Sequence, residues 1–218
     1  MRLHKAGIKP ILITLTGVII LLSLLHLLPL TSWMKICLYI AALLFMFFVV
    51  RFFRRPIRVL VPEKDSVYSA ADGTVVAIEE VMVPEYFNDK RIQVSVFMSI
   101  FDVHVNFFPI SGKVRYLKHH EGLHIPAFRP KSSLMNEMTT VVLSDEKGRE
   151  IMVRQIAGVM ARRIVCNARP NGSFTQGDEL GIIRFGSRVD ILLPLKTDIK
   201  VKLHQKVRGN IDLIAKIS

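Results

Sequence analysis

Cysteine is scarce in this chain of 218 residues, and its scarcity excludes two classes of structure. Only Cys37 and Cys166 are present, which leaves no disulfide framework and no cysteine-rich metal site. We expect both thiols to be inert packing residues. No metal site is predicted from His119, His120 and His124 either, because no cysteine or carboxylate pattern completes a tetrahedral set. We expect these histidines to lie in a polar loop near the membrane.

Acidic residues are absent from the first 55 positions, which hold seven Lys/Arg. The same stretch contains two apolar runs, about 11–30 and 33–53, each close to the roughly 20 residues that cross a bilayer as a helix. Because so few residues separate the runs, residues 1–55 are predicted to form a helical hairpin that anchors the chain in the membrane. A signal peptide is the alternative, but the second run follows at once and no small-residue cleavage site stands out.

Basic residues at both outer ends of the apolar runs predict an orientation. The positive-inside rule places both ends, and the remaining residues 56–218, on the cytoplasmic side of the cell (inner) membrane. The net charge of +12 suits anionic lipid headgroups better than nucleic acid, because the strongest basic cluster adjoins the second apolar run. A topology signal alone explains that cluster equally well. The basic residues concerned are Arg2, Lys5, Lys9, Arg51, Arg54, Arg55 and Arg58.

Long helical periodicity is missing after Pro56, which we expect to end the second helix. Short β-rich runs separated by Gly, Pro, Asn and Asp replace it, and their spacing is typical of one compact all-β domain. The predicted fold is therefore mainly β, a β-sandwich or barrel-like domain preceded by the transmembrane helical hairpin. The runs are Val75–Ile78, Ile92–Ile100, Gly112–Leu117, Thr139–Leu143, Ile151–Ile156, Val159–Cys166, Leu180–Phe185 and Val189–Leu193.

Two segments of this β region resemble each other. Asp72–Ile78 and Ser111–Leu117 each consist of a turn residue, a glycine and an alternating strand. The likeness suggests a pseudo-repeat within the domain. The alternative is that turn, glycine and strand follow one another in many β proteins.

Two Gly-Ser pairs occur, Gly172-Ser173 and Gly186-Ser187, and the second joins two apolar strand-like runs. No Gly-x-Ser-x-Gly elbow surrounds Ser187, which counts against a membrane serine hydrolase with Ser187 as a lasting nucleophile. A non-enzymatic, membrane-tethered β-domain is a further alternative. Either alternative predicts that the chain stays intact.

Six segments in the same order resemble the phosphatidylserine decarboxylase family, in its short, membrane-anchored bacterial and archaeal form. The likeness extends from about residue 51 to residue 193, most of the part that follows the apolar runs. The segments are Phe52–Pro56; Ala71–Val75; Met98–Asn106 with Pro109 and Gly112; Lys131–Ser133 with Asn136 and Glu137; Gln155–Gly158 with Ala161–Ile164; and Gly177–Gly181, which leads into Gly186-Ser187.

The resemblance implies a proenzyme that cleaves itself between Gly186 and Ser187. The products are residues 1–186 and a chain of residues 187–218, which stay together as a heterodimer, with a higher oligomer left open. Ser187 becomes a covalent pyruvoyl cofactor that forms a Schiff base with phosphatidylserine and accepts electrons as CO2 leaves, so that phosphatidylethanolamine is the product. Archaetidylserine, a related serine lipid, is the alternative substrate.

The resemblance also implies roles for His104 and Asp72. His104 has a suitable pKa for general acid and base chemistry, and Asp72 is the candidate carboxylate that orients it. A hydrogen-bonded structural histidine and a turn aspartate are the alternatives. Some members carry a second histidine, in His-x-x-His-x-Pro, as the proposed self-cleavage base. Phe107 occupies that position here, so either His104 serves both steps or another group helps.

Arg188 is a second departure, since the family usually has threonine after the serine. The scissile pair itself is intact, so we expect processing to survive. The bulky cation is expected either to pair with the carboxylate or phosphate of the substrate, or to face solvent.

Overall fold

The chain divides into two compact units, Met1–Ile57 and Arg58–Ser218. These units come from a computed structural model that describes residues 2–122, 136–158, 164–183 and 186–217. The first unit is mainly helical, and the second consists of β-sheets.

The first unit is a hairpin of two apolar helices, which confirms the prediction. Helix α1 is Ile8–Leu27 and follows a 3-10 turn at Lys5–Gly7, and helix α2 is Ser32–Phe52. Strand β1, Arg2–Leu3, pairs antiparallel with strand β2, Arg54–Arg55. Both helices are long and apolar enough to cross a membrane. Their side chains are mostly exposed, as a lipid-facing hairpin requires.

The helix ends differ from the predicted ones for local reasons. Helix α1 ends at Leu27 because Leu28 precedes Pro29, whose ring disfavours the α conformation for the residue before it; Leu28 has φ −74° and ψ 145°. Helix α2 ends at Phe52, so the prediction that Pro56 ends it is wrong. The chain is already extended at β2, where it pairs with β1.

The second unit contains short strands of two to eleven residues. Where the predicted β runs lie in the described residues, strands are present. The strands are β3 Ser66–Tyr68, β4 Gly73–Val83, β5 Asp89–Met98, β6 Val105–Phe107, β7 Gly112–His120, β8 Met138–Ser144, β9 Glu150–Ile156, β10 Ile164–Cys166, β11 Ser173–Phe174, β12 Glu179–Ile183, β13 Ser187–Leu193, β14 Asp198–Ile199, β15 Lys206–Val207 and β16 Leu213–Lys216.

The strands form one large sheet and two small ones. The eight-stranded sheet has the order β11-β7-β8-β9-β13-β5-β4-β15, is antiparallel throughout and curls into a half-barrel. The three-stranded sheets have the orders β10-β12-β6 and β14-β16-β3. The predicted fold class, mainly β with a barrel-like sheet, is therefore confirmed.

The large sheet contains the predicted repeat. Strands β4 and β7 begin with Gly73 and Gly112, and a Cβ added to either glycine would collide with a neighbouring carbonyl oxygen, at 2.1 and 2.4 Å. Both strands have a bulge at the same place, between Val75 and Ala77 and between Val114 and Tyr116. Each pairs with a long strand on one side and a two-residue edge strand on the other. The halves β11-β7-β8-β9 and β15-β4-β5-β13 therefore correspond, and they meet where β9 pairs with β13.

Both faces of the large sheet are buried, so alternate residues of its central strands belong to two clusters. The main core lies between one face and the small sheets, and includes Val141, Val153, Ile191, Leu180 and Ile214. A smaller cluster covers the other face and includes Val83, Val142, Met152 and Leu192. The Gly186-Ser187 bond lies at the start of the strand that joins the two halves.

Candidate active site

Ser187 is the first residue of β13, a central strand of the large sheet. It lies opposite Met98 of β5, and the next residue lies opposite Ile156 of β9. Its side chain is on the face of the main core, together with Val189, and it is fully buried. The serine of the predicted cleavage site is therefore a fully buried residue at the N-terminal end of a central strand.

Gly186 has a φ of +60°, in the left-handed region that L-residues with a side chain rarely adopt. A Cβ at this position would meet no heavy atom within 4 Å among the residues that the structure describes, its chain neighbours aside. Glycine is thus required by the backbone conformation and not by lack of space. The unusual conformation lies on the carbonyl side of the bond predicted to break.

The Ser187 hydroxyl lies in a buried cluster of side chains that the sequence did not lead us to predict. Its Oγ lies 4.0 Å from the Sδ of Met98, and the Nδ2 of Asn106 donates to the same sulfur at 3.5 Å. The Nε2 of Gln155 donates to the Oδ1 of Asn106 at 2.9 Å. All four side chains are fully buried. One signal in the sequence could have indicated Asn106. It lies two residues after His104, and residues spaced by two in an extended segment point to the same side.

His104 is fully buried just before β6, and its backbone holds the strand that leads to the Gly186-Ser187 bond. The carbonyl of His104 accepts a hydrogen bond from the Ile183 amide at 3.3 Å. Its Nδ1 lies 3.0 Å from the carbonyl oxygen of Asp102, which can only accept. The neutral ring therefore carries its proton on Nδ1 and its lone pair on Nε2, the form that a general base requires.

The turn before His104 is fixed by Asp102. Its carboxylate accepts hydrogen bonds from the amide and the hydroxyl of Ser99, at 2.9 and 2.6 Å. The turn connects Met98, which contacts Ser187, to His104. The described contacts thus join the segment of His104 to Ser187 through Met98 and Asn106.

Asp72 lies in a different cluster. Its carboxylate makes a bidentate ion pair with Arg58, at 2.5 and 2.7 Å, and accepts a hydrogen bond from the Gly209 amide at 2.8 Å. Arg58 also donates to the carbonyl of Gly209 at 2.7 Å. The ring of Phe107 packs on Gly209, with a ring carbon 2.8 Å from where a Cβ would stand. Asp72 therefore lies beside Phe107 through Gly209, and its role in orienting His104 stays a prediction.

Arg188 forms a buried ion pair with Asp190, two residues further along the same strand. The Nε–Oδ1 and Nη2–Oδ2 distances are 2.8 and 2.9 Å, and both side chains are almost fully buried. The expectation that Arg188 faces solvent is wrong. Since side chains alternate along a strand, the pair lies on the opposite face of the sheet from Ser187. The ion pair of Arg188 with Asp190 is therefore a structural interaction within the sheet.

His119 and His120 are the last residues of β7, so the expectation of a polar loop is wrong for them. His120 Nε2 lies 2.6 Å from Glu85, which also accepts a hydrogen bond from Arg154 at 3.0 Å. Burial raises the pKa of Glu85, but the hydrogen bond from His120 and the charge of Arg154 outweigh it and lower the pKa overall. This cluster holds the tip of the β4–β5 hairpin over the second face of the sheet.

The two cysteines are described by the structure, whereas some other predicted residues are not. Burial raises the pKa of the Cys166 thiol, which suits an inert packing residue. Cys37 is exposed on α2, and its expected role as an inert packing residue stays a prediction. The remaining predicted features, His124, Lys131–Ser133 and Ala161–Arg163, lie outside the described residues.

Comparison with known proteins gives the same family over most of the chain. The family model described as phosphatidylserine decarboxylase matches residues 45–215. A phosphatidylserine decarboxylase proenzyme of Amoebophilus asiaticus is 44% identical over 220 residues, which cover 100% of this chain and 97% of the relative. Proenzymes of the same description from Cytophaga hutchinsonii and Parabacteroides distasonis are 42% and 40% identical, over 99% and 100% of this chain and 98% and 100% of the relatives.

The chain belongs to the phosphatidylserine decarboxylase family. The family match begins inside α2 and includes Asp72, His104, Gly186 and Ser187. Membership implies a decarboxylase of phospholipid metabolism that is made as a proenzyme. The two apolar helices suggest that this decarboxylase associates with a membrane. The hydrolase and the non-enzymatic domain are accordingly less favoured than a decarboxylase.

Proposed function

We propose that the chain is a phosphatidylserine decarboxylase that becomes active by cleaving itself between Gly186 and Ser187. Residues 1–186 and 187–218 are the products, and Ser187 supplies a pyruvoyl group at the new N-terminus. The substrate is phosphatidylserine, and the products of the second reaction are phosphatidylethanolamine and CO2. Family membership supports the decarboxylation, and the geometry of this one bond supports the self-cleavage.

The observation that carries the proposal is the pairing of a left-handed glycine with a buried serine. Gly186 has φ +60°, and Ser187 is fully buried at the start of a central strand. A strained backbone persists where the surrounding structure imposes it, and such sites are often reactive. Burial keeps water from competing with the serine hydroxyl for the adjacent carbonyl.

Self-cleavage requires a base and an electrophile beside Ser187. The Oγ of Ser187 adds to the Gly186 carbonyl carbon while His104 Nε2 takes the hydroxyl proton. The same proton then passes to the backbone nitrogen of Ser187 as the C–N bond breaks, which leaves an ester. Loss of the Ser187 Cα proton and cleavage of the Cβ–Oγ bond release residues 1–186 with a terminal carboxylate and leave dehydroalanine. Addition of water and loss of ammonia then give the pyruvoyl group.

The second reaction uses the same residues on a lipid amine. Once formed, the pyruvoyl group would supply a ketone able to condense with the amine of the substrate and to accept the electrons released as CO2 leaves. The chain's own contribution is to hold this carbonyl in a dry site and to move protons. His104 is the proposed donor that protonates the substrate carbon, because its segment is joined to Ser187 through Met98 and Asn106 and an imidazole can both take up and release a proton.

We expect the two products to stay together after cleavage. The 32-residue product contains β13, which lies between β9 and β5 in the middle of the large sheet. It also contains β15, which pairs with β4, and β16, which pairs with β3. Gly209 of this product is held by Asp72 and Arg58 of the longer one. These contacts support a heterodimer that needs no peptide link.

Membrane attachment suits a lipid substrate. We propose that the hairpin of α1 and α2 anchors the enzyme in the cell (inner) membrane with the catalytic unit in the cytoplasm. The positive charges at the outer ends of the hairpin support this orientation. Anchoring raises the local concentration of enzyme at the surface where the substrate is held.

Intact-mass measurement of the purified protein tests the proposal. We expect two chains that correspond to residues 1–186 and 187–218, with the shorter one blocked to Edman sequencing and reducible by borohydride. A single 218-residue chain would favour the hydrolase or the tethered β-domain. A readable N-terminal serine on the short chain would indicate hydrolysis of the bond instead of pyruvoyl formation.

A further inference from the structure

Two buried side-chain amides lie between the large sheet and β6, beside Ser187. Gln155 comes from β9 and Asn106 from β6, and both are fully buried. Gln155 donates to Asn106, and Asn106 donates to the sulfur that the Ser187 hydroxyl also approaches. Burying a primary amide is costly unless its polar atoms are hydrogen-bonded. The position of these amides therefore needs a physical explanation.

Gln155 fixes which way the Asn106 amide faces. Because Gln155 Nε2 donates to Asn106 Oδ1, the Nδ2 of Asn106 is turned toward the sulfur of Met98, which the Ser187 hydroxyl also approaches. The backbones are held as well, since Gln155 lies opposite Val189 and Asn106 lies opposite Gly181 in their ladders. An N–H donor is thus pre-oriented toward the same sulfur that the serine hydroxyl approaches.

The present acceptor of that donor is weak. A thioether sulfur is a poor hydrogen-bond acceptor, and Asn106 Nδ2 and Ser187 Oγ approach the same one. When Oγ adds to the Gly186 carbonyl, negative charge develops on the carbonyl oxygen next to the attacking atom. A donor that is poorly used before this step and well used during it stabilises the transition state more than the ground state.

We propose that Asn106 donates to the oxyanion formed on the Gly186 carbonyl, and that Gln155 is the positioning residue that keeps this donor turned toward it. The inference rests on the proposed self-cleavage at Ser187. Asn106 is then a catalytic residue of processing, and Gln155 acts only through it.

Asn106→Asp tests the donor with little change of shape. The variant keeps an acceptor for Gln155 but removes the N–H groups that face Ser187. Losing one oxyanion donor typically slows a reaction by about 10²–10³-fold, so we expect processing to slow by at least about 100-fold. The measurement is the conversion of freshly translated precursor into the two products, followed over time, with the thermal unfolding midpoint recorded to confirm folding.

Gln155→Glu tests the positioning role, and Gln93→Glu is its matched control. An ionised carboxylate at position 155 can only accept, so it turns the Asn106 amide around and presents Oδ1 to the serine. We expect slow processing, of the same order as in Asn106→Asp. Gln93 is also buried in this sheet, but it faces the other side and donates to Ser95 at 2.9 Å. Gln93→Glu should process at the wild-type rate.

The pH profile separates this role from a general loss of packing. Burial raises the pKa of the introduced carboxyl at position 155, and once protonated it donates to Asn106 Oδ1 again. The processing rate of Gln155→Glu, relative to wild type at the same pH, should therefore rise as the pH falls from about 9 to about 6.

The outcomes distinguish this inference from the proposed function. Failure of the wild-type chain to cleave would overturn the proposed function itself. Wild-type cleavage with rates within about threefold in both Asn106→Asp and Gln155→Glu would overturn the inference alone. Equal slowing in Gln93→Glu, or a flat relative pH profile, would also overturn it, because the effect would then come from the sheet and not from the amide orientation.

Discussion

The chain contains the same dipeptide twice in two different settings. Ser187 is fully buried at the start of a seven-residue central strand, whereas Ser173 is exposed on the two-residue edge strand β11. Gly186 is left-handed, and the φ of Gly172 lies outside the left-handed region. A Gly-Ser pair is therefore not a site by itself, since burial and backbone conformation differ completely between the two.

The surroundings of the two glycines favour the proposed cleavage after Gly186 over cleavage after Gly172. The carbonyl of Gly172 accepts a hydrogen bond from the Val114 amide at 2.9 Å, which holds it in the edge pairing. Ser173 pairs with Lys113 at the solvent, where water competes for every polar group. Ser187 approaches the buried sulfur of Met98, to which the amide of Asn106, two residues after His104, also donates. Reactivity thus depends on the neighbours that the fold supplies.

The largest effect is expected from removing the hydroxyl at each site. Ser187→Ala should abolish both processing and decarboxylation, because the hydroxyl is the attacking group and the source of the cofactor. Ser173→Ala should cleave and decarboxylate like wild type. Gel separation of the chains and CO2 release measure the two properties. If Ser173 were the serine required, the site assignment would have to move to the edge strand.

His104→Ala should give the next largest effect. General acid and base catalysis typically contributes about 10²–10⁴-fold, so we expect processing to slow by that order. Any processed fraction should release CO2 slowly, because the substrate carbon lacks its proton donor. His119→Ala is the control, since His119 is half-exposed at the end of β7. Normal processing of His104→Ala would point to another base, and normal CO2 release from its processed form would exclude His104 from the second step.

Asp72→Asn should destabilise the region that holds the short product. It leaves the largely buried Arg58 without its charged partner, and breaking such a pair costs about 3 kcal/mol. Denaturant unfolding of a non-cleaving Ser187→Ala background measures this loss. Asp198→Asn, whose ion pair with Lys200 is exposed, should change stability little. At a temperature where Asp72→Asn is folded, slow processing would support the orienting role toward His104, and normal processing would argue against it.

The smallest effect is expected from adding one methyl group to each glycine. Gly186→Ala meets no steric clash with the described part of the chain, but the left-handed conformation costs an L-residue about 1–2 kcal/mol, so processing should slow by roughly tenfold as the backbone relaxes. Gly172→Ala brings its Cβ to 3.1 Å from the Arg169 carbonyl oxygen, which calls for a small local shift. Processing should not change there. Equal processing rates in both variants would remove backbone strain from the mechanism.

Periodicity in the sequence was enough to predict the two kinds of structure, because each depends on local patterns of apolar residues. The apolar runs became α1 and α2, and the alternating runs became strands of the large sheet. Even the likeness between Asp72–Ile78 and Ser111–Leu117 was informative, since both segments begin with a glycine pressed against the neighbouring strand. Helix ends were less predictable, because pairing of β2 with β1 ended α2 before Pro56.

The sequence by itself determined the family and the hairpin of apolar helices, and it selected Gly186-Ser187 as the candidate bond, because these depend on the order and type of neighbouring residues. Only the tertiary structure decided the contacts between residues far apart in the chain. It turned Arg188 toward Asp190 on the far face of the sheet and tied Asp72 to Arg58 and Gly209. It also brought Asn106 and Gln155, 49 positions apart, together beside Ser187. Such contacts follow from strand order and register, which a one-dimensional pattern does not specify.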